Sequence, residues 1–256
     1  MDIAILIQAR LSSSRLPGKI LYQLGNKNIN CISLMSKRLM KFRNLTAIAV
    51  ITTDQKCDDC IEYISKKNNL HCLRGNNEDV LERYYFSANS LNAKTIVRLT
   101  SDCPLIDAAE VQRVIDIHLQ NKNDYTSNTF EGSSIIDGFD VEVFEFEALK
   151  KAYEESVLPS EREHVTFYFK NNNKFKVEFT DPKLNFPYTR LTLDTPEDFK
   201  VISLLIDNCK NIETISMLEI GNLYYELKLD KLNGFINKNH GWNSSFVLDN
   251  LYKENN

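Results

Sequence analysis

The sequence predicts an α/β fold, a mostly parallel sheet with helices on both faces. Short, near-continuous apolar runs alternate with amphipathic runs of helical period through the first two hundred residues. Strands covered on both faces lack polar alternation, and that is the pattern of a parallel sheet between helices. The length agrees: 256 residues, 43% of them hydrophobic and 26% charged, fit one large α/β domain or one domain with a small appendage.

The elements follow in order. "DIAILIQ" (2–8) is the first strand, and "NCISLMSKRLMKF" (30–42) is a helix with apolar positions three and four apart. "TAIAVITT" (46–53) is a second buried strand, followed by a helix through "DDCIEYISKKN". "LHCLRG" is a short third strand, and "NNEDVLERYYFSANSL" has the capping and period of a helix. "TIVRLTSD" (95–102) is a fourth strand, "DAAEVQRVIDIHLQNK" a helix and "DYTSNT" a fifth strand.

From about residue 130 the rhythm changes. "FEGSSIIDGFDVEVFEF" mixes turn signals with alternation and reads as a hairpin or sheet excursion. A helix over 146–156, a segment beginning "SEREHVTFYF", and strands at 174–180 and 189–193 come next. "TPEDFKVISLLIDNCK" is a helix with Thr195 or Asp194 as its cap and Pro196 in its first turn. The expected organisation is one α/β domain over 1–205, with an insert at 130–170 that builds the acceptor site or a dimer contact. A helical extension over 206–256 ends in the polar "KENN". No repeat or low-complexity linker interrupts it.

Composition narrows the function. A formal charge of −4 lacks the broadly basic surface of a nucleic-acid binder. "MDIAILIQAR" is neither a secretory signal nor part of a membrane span, so a cytoplasmic protein is expected. The six cysteines are then expected reduced. "CDDC" (57–60) has redox or zinc spacing, but no second pair follows, and its acidic neighbours raise the thiol pKa. His71, His118 and His240 carry no readable role.

Ligands of such sheets sit beyond the carboxyl ends of the strands, so loops 9–19, 52–54, 74–79 and 101–107 should converge on one cleft. The first of them, within "QARLSSSRLPGK" (8–19), packs Arg10, Arg15 and Lys19 among small residues, with Pro17 and Gly18 at its exit. Backbone N–H groups turned inward and three cations suit a triphosphate, which carries more charge than one cation neutralises. A solvated basic loop is the plainer alternative. Neutralising a triphosphate for attack also calls for magnesium, which needs carboxylates with open coordination positions. "LTSDCPLID" puts Asp102 at the tip of the fourth strand, and "RLTLDTPEDF" puts Asp194 after a later one. Each by itself could be a helix cap.

Six ordered stretches, "QARLSSSRLPGK", "CLRGNNEDVLERYY", "VRLTSDCPLID", "DGFDVEVF", "EREHVT" and "RLTLDTPEDF", resemble the cytidylyltransferases of bacterial surface-polysaccharide synthesis. These include the SpsF-like spore-coat proteins and, more distantly, the CMP-sialate and CMP-Kdo synthetases. The likeness covers residues 1 to about 200. It implies a Rossmann-like fold of the nucleotide-diphospho-sugar-transferase kind and magnesium-dependent transfer of CMP from CTP to an acidic acceptor, with manganese as a substitute metal. Arg10, Ser12, Arg15 and Lys19 would bind the triphosphate, with Ala9, Ser13, Thr52 and Asp79 completing the nucleotide site. Asp102 and Asp194 would hold the metal, and Lys19, Arg15 and Asp102 would be catalytic. Arg74 would meet the cytosine, whose adjacent O2 and N3 acceptors suit an arginine, whereas the N3–H of uracil opposes it. The family commonly has glycine where this chain has Ser12 and Ser101.

Residues 137–164 should build the acceptor pocket. Asp140 and Glu142 share one face of a strand and suit an amine or a second metal. Arg162 and Arg190 suit a phosphate or carboxylate. A structural ion-pair network serves the same residues equally, and His164 reads as a packed helix residue before a base. Within the family the chain also resembles the CTP:phosphoglutamine cytidylyltransferases of capsular phosphoramidate synthesis, which implies an acceptor bearing an amine and a phosphate. A nonulosonic or other sugar acid is the next choice. A nucleotide-sugar-dependent glycosyltransferase usually shows an Asp-x-Asp pair, where this chain reads "SDCP"; a non-catalytic nucleotide-binding protein is a further class. The apolar "FYF" and "VEVF" stretches suit a homodimer face, and a monomer with a thick core fits them too.

Overall fold

The strand that opens the chain, β1 (Ile3–Gln8), is the centre of the fold, and four of its side chains, Ala4 to Ile7, are fully buried. The computed structural model describes residues 2–13, 15–42, 45–236, 248–250 and 252–253. β2 (Ala47–Thr53) and β3 (His71–Gly75) extend the sheet on one side of β1, and β4 (Thr95–Thr100) lies on the other, all parallel. β5 (Tyr125–Ser127), β6 (Glu142–Glu145) and β7 (Val177–Phe179) complete the order β3-β2-β1-β4-β6-β5-β7.

The crossover helices are α1 (Cys31–Leu39), α2 (Asp59–Lys67), α3 (Val80–Ser90) and α4 (Ala108–Asn121). Three begin on side-chain caps: Asn30 accepts from Ser33 N, Asp79 from Glu82 N and Asp107 from Ala109 N. The sheet separates two apolar clusters. Ile3, Ile5 and Ile7 pack toward α1 and α4, while Ala4 and Leu6 pack toward α3. The pleat of β1 thus sorts its residues to both layers.

Two sequence expectations are corrected beyond residue 129. Of the hairpin or sheet excursion expected over 130–146, no hairpin forms: 130–141 is turns, bends and irregular chain, and the excursion is β6 by itself. That strand inserts antiparallel between β4 and β5. Residues 189–193 form no strand; a single bridge joins Asp137 to Arg190. Both stretches line the site, and their backbone groups pair singly instead of in a ladder: Leu191 N donates to Asp137 O, Leu193 N to Asp102 O, and Val141 N to the Asn128 side chain. α5 (Phe146–Glu155), α6 (Pro159–His164) and α7 (Phe167–Lys170) follow β6.

α8 (Pro196–Asn208) starts on Thr195, which accepts from Asp198 N while Asp198 accepts from Thr195 N. Asp194 is therefore not the cap. α9 (Met217–Glu226) and α10 (Asp230–Asn233) follow, and Met217, Ile220 and Tyr224 join the cluster that holds β1 and α8. His240 and residues 254–256 lie outside the described residues. Among those described, no helix is long and apolar enough to cross a membrane.

Candidate active site

The loop after β1 turns back at once. Leu11 N donates to Asp58 Oδ1 at 2.9 Å, and Gly18 N returns to Leu11 O at 3.1 Å. Asp58 also accepts from the Thr52 and Thr53 hydroxyls, so the carboxyl end of β2 and the first loop share one buried carboxylate. Gly18 sits at φ +69, a left-handed conformation that glycine adopts without strain. This turn drives Lys19 inward.

Lys19 is the focus of the site. Its Nζ donates to Asp102 Oδ2 at 2.9 Å and to Asp194 Oδ1 at 2.6 Å, with its side chain only 9% exposed. Arg15 Nη2 reaches the other oxygen of Asp194 at 2.9 Å. Burial alone would push the Lys19 ammonium down, but the two carboxylates outweigh it and hold its pKa above the ordinary lysine value. Burial likewise opposes ionisation of Asp102, and Lys19 overrules it, holding that carboxyl at about 2.

Beside this cluster opens a cavity of about 760 Å³ whose lining includes Arg10, Arg15, Asp102, Asp137, Asp140 and Asp194. Gln8, Thr100 and Arg98 from the sheet and His164 and Phe167 from the α6–α7 region also face it. Burial, then the like charge of Asp137, raises the Asp140 carboxyl to about 7, while a Thr129 hydrogen bond of 2.8 Å opposes the shift. The folded protein thus holds a proton on Asp140 that the unfolded chain has released, from about pH 4 upward. Its stability should fall as pH rises through that window to about 7, and Asp140→Asn should flatten the fall in a series of melting curves.

Several residues expected in the site have other work in this structure. Arg74 does not line the cavity: Nε donates to Thr53 O, Nη2 to Gln55 O, and Nη1 to Asp59 and Glu62. Glu142 touches the cavity but is held by Arg98, Tyr125, Thr166 and Lys170, so burial's upward push is overcome and its pKa falls. It braces the cavity floor and is not free to meet an acceptor. Arg190 is 3% exposed and pairs with Asp137, Asp194 and Asp198, which leaves no fork for an anion.

Arg162 pairs with Asp79 at 3.4 Å and lies over the Tyr153 ring, outside the cavity lining. Asp79 caps α3. Ser13 accepts from Leu16 N at 3.4 Å within the loop, Ser12 is exposed, and Ala9 and Thr52 are buried at the strand ends. His164 does face the cavity, and burial lowers its pKa.

A cytidylyltransferase family model matches residues 4–230. The chain belongs to that family. This cytidylyltransferase is 29% identical to the spore coat polysaccharide biosynthesis protein SpsF of Bacillus subtilis, over 86% of the chain and 92% of that protein. It is 26% identical to an 8-amino-3,8-dideoxy-manno-octulosonate cytidylyltransferase of Shewanella baltica, over 91% and 85%. A solved cytidylyltransferase from Leptospira borgpetersenii superposes with a TM-score of 0.85 at 34% identity, covering 93% of this chain and 99% of that one. The enzyme is thus a CTP-dependent nucleotidyltransferase, and the glycosyltransferase reading falls away.

Sequence reasoning missed three parts of the site. Asp58, read within the "CDDC" spacing, anchors the first loop. Arg98, in the middle of β4, carries charge to the cavity floor and pairs with Glu142 and Gln8. Asp198, fully buried, holds Arg190 and through it Asp194. A charged residue inside an apolar strand was the available signal for Arg98. For Asp58 and Asp198 no local signal existed, because helix-start carboxylates are ordinary.

Proposed function

We propose that this cytidylyltransferase transfers CMP from CTP to an oxygen of a small acidic acceptor, a sugar acid first, and releases pyrophosphate. The observation that carries this reading is Lys19 held between Asp102 and Asp194 at one wall of the cavity, with Arg15 on the same cluster. The acceptor oxygen attacks the α-phosphorus, a new O–P bond forms, and the P–O bond to the β-phosphate breaks. The electron pair leaves on pyrophosphate. Arg15 and Lys19 stabilise the departing charge, and positioning supplies the remainder.

Asp102 and Asp194 suit magnesium: both offer hard oxygens, and Asp102 is fully ionised at neutral pH. Among the described residues no group of three or more His, Cys, Asp or Glu could hold a metal ion, so substrate phosphates would complete its coordination. Bound there, magnesium would neutralise phosphate charge. Lys19 is the residue that holds the two carboxylates together.

Two relatives support the acceptor class, since one belongs to polysaccharide biosynthesis and the other acts on an eight-carbon amino sugar acid. A sugar hydroxyl must lose its proton to attack. Asp140, which lines the cavity and titrates near 7, is the base this reading assigns. With a sugar acid, kcat/KM should rise as pH rises through about 7, and Asp140→Asn should remove the rise. Phosphoglutamine is the second reading: its phosphate oxygen needs no base, and Asp140 would face its amino group. Pyrophosphate release with each acceptor separates the two, and release with neither at millimolar acceptor rejects both.

Melting scans with magnesium and single nucleotides test the nucleotide itself. CTP at a hundred times its dissociation constant adds about 2.7 kcal/mol, a shift of several degrees. CTP should shift the transition, while UTP, ATP and GTP at the same concentration should shift it less. An equal shift with every triphosphate would reject cytosine selection.

A further inference from the structure

Arg83, in the second turn of α3, is a buried arginine that the fold leaves unpaired. It is 1% exposed, and none of Nε, Nη1 and Nη2 has a hydrogen-bond partner among the described residues. Buried guanidinium groups elsewhere in the chain are engaged. Arg38 donates to the carbonyls of Ile106, Ile212 and Ile215, and Arg190 pairs with three aspartates. A charge desolvated without compensation is costly, so an unpaired one calls for a partner from outside the fold.

Its position says which partner. The stem of Arg83 packs over Gly75, the last residue of β3, where an added Cβ would lie 3.4 Å from Arg83 Cγ. Burial lowers the Arg83 pKa, and among the charges acting on it are Arg10 from the β1 loop and Asp54 and Asp58 from the β2 loop. The guanidinium therefore lies among the carboxyl ends of β1, β2 and β3, where nucleotides bind in such sheets. Arg10, partly exposed on the cavity wall with Val80, has no hydrogen bond or ion pair from its guanidinium among the described residues. Arg83 itself does not line the cavity, so a bound base must displace side chains of the wall to reach it.

The phosphate end of the site is fixed by Lys19, Asp102 and Asp194, after β1 and β4. In the order β3-β2-β1-β4, the Gly75 end of β3 is two strands from β1, roughly 10 Å. An extended nucleotide with its phosphates at Lys19 carries its base toward that side. A base offers the fork of an arginine two adjacent acceptors when it is cytosine, and an N3–H donor in place of one of them when it is uracil. Arg74, one residue before Gly75 on β3, has its donors committed to Thr53, Gln55, Asp59 and Glu62.

We infer that Arg83 is the specificity-determining residue of the nucleotide site, donating from its guanidinium to O2 and N3 of the bound cytosine. This rests on the CTP site proposed above. It also explains a fold that keeps an unpaired charge: the ligand completes the pairing, and the unliganded protein bears the cost.

The experiment is calorimetric titration of the wild type, Arg83→Met and Arg83→Lys with magnesium and CTP, UTP or inorganic tripolyphosphate, alongside ligand-free melting. Removing an unpaired buried charge should leave the melting temperature of Arg83→Met equal to or above that of the wild type. CTP affinity should fall tenfold or more, roughly the discrimination of one bidentate arginine–base pair. Tripolyphosphate affinity should stay within about twofold, because the phosphates are held elsewhere. Arg83→Lys keeps the charge without the fork and should also lose the preference for CTP over UTP.

Persistence of that preference in either variant overturns the role of Arg83 alone. An equal loss of tripolyphosphate binding makes it a phosphate residue, and failure of both variants to fold makes it structural; either result overturns the inference. A wild type that binds tripolyphosphate without preferring CTP overturns the nucleotide reading itself.

Discussion

Lys19→Ala should lower turnover at saturating CTP by roughly a hundredfold or more, about 3 kcal/mol of transition-state stabilisation. The reason is geometric. Lys19 Nζ lies 2.9 Å from Asp102 and 2.6 Å from Asp194, so it is the group that holds both carboxylates at one wall of the cavity. Without it Asp102 loses the charge that keeps its carboxyl at about 2, and burial drives that pKa upward. The departing pyrophosphate loses a cation at the same time. Pyrophosphate release at saturating CTP, with a melting curve to confirm folding, measures the effect. Activity within threefold of the wild type would remove Lys19 from the mechanism. Lys19→Arg should restore part of the ion pairing and little of the rate, since a planar fork does not reproduce a compact ammonium.

Arg190→Met should be the most destabilising single change considered, at about 3–5 kcal/mol. Arg190 Nη1 lies 2.8 Å from Asp137, Nη2 is 3.3 Å from Asp194, and Nε is 3.1 Å from Asp198. Its removal leaves Asp198, fully buried, facing Asp194 with no opposing charge from this side chain. For a chain of this size that loss lowers the melting temperature by about 10 °C. Denaturant unfolding measures the energy and melting curves the temperature. The alternative, a clamp on the acceptor, would raise KM for the acceptor and leave the melting temperature within a degree or two. Asp137→Asn and Asp198→Asn should each destabilise less, because Arg190 keeps two partners in either case.

The reach of the sequence follows from how local each signal is. Apolar runs and helical periods reflect burial that repeats every two or 3.6 residues, so β1 to β5 and α1 to α4 were legible with their order. The start of α3 within "NNEDVLERYYFSANSL" was legible, and that of α8 was narrowed to Thr195 or Asp194, because a cap acts within one turn. Residues 189–193 were misread as a strand, and 130–141 as part of a hairpin, because apolar residues are buried in irregular chain as well: Ile135, Ile136, Phe139, Val141, Leu191 and Leu193 are all buried without a ladder. What holds these stretches is distant: Asn128 bonds Phe139 O and Val141 N, and Asp137 accepts from Thr192 and Arg190.

The cationic loop, the two aspartates and the family were therefore determined by the sequence alone, since type and spacing along the chain suffice for them. The tertiary structure decided which charges meet. Arg15, Lys19, Asp102 and Asp194 arrive at one cluster from three separate segments, while Arg74 and Arg190, equally cationic on paper, are taken up by carboxylates and carbonyls of the fold. Arg83 shows the same division from the other side. Its neighbours along α3 reveal nothing unusual, and the folded structure buries its guanidinium without a hydrogen-bond partner among the described residues. Charge is a property of a residue, but its availability depends on what the folded chain places within hydrogen-bond reach.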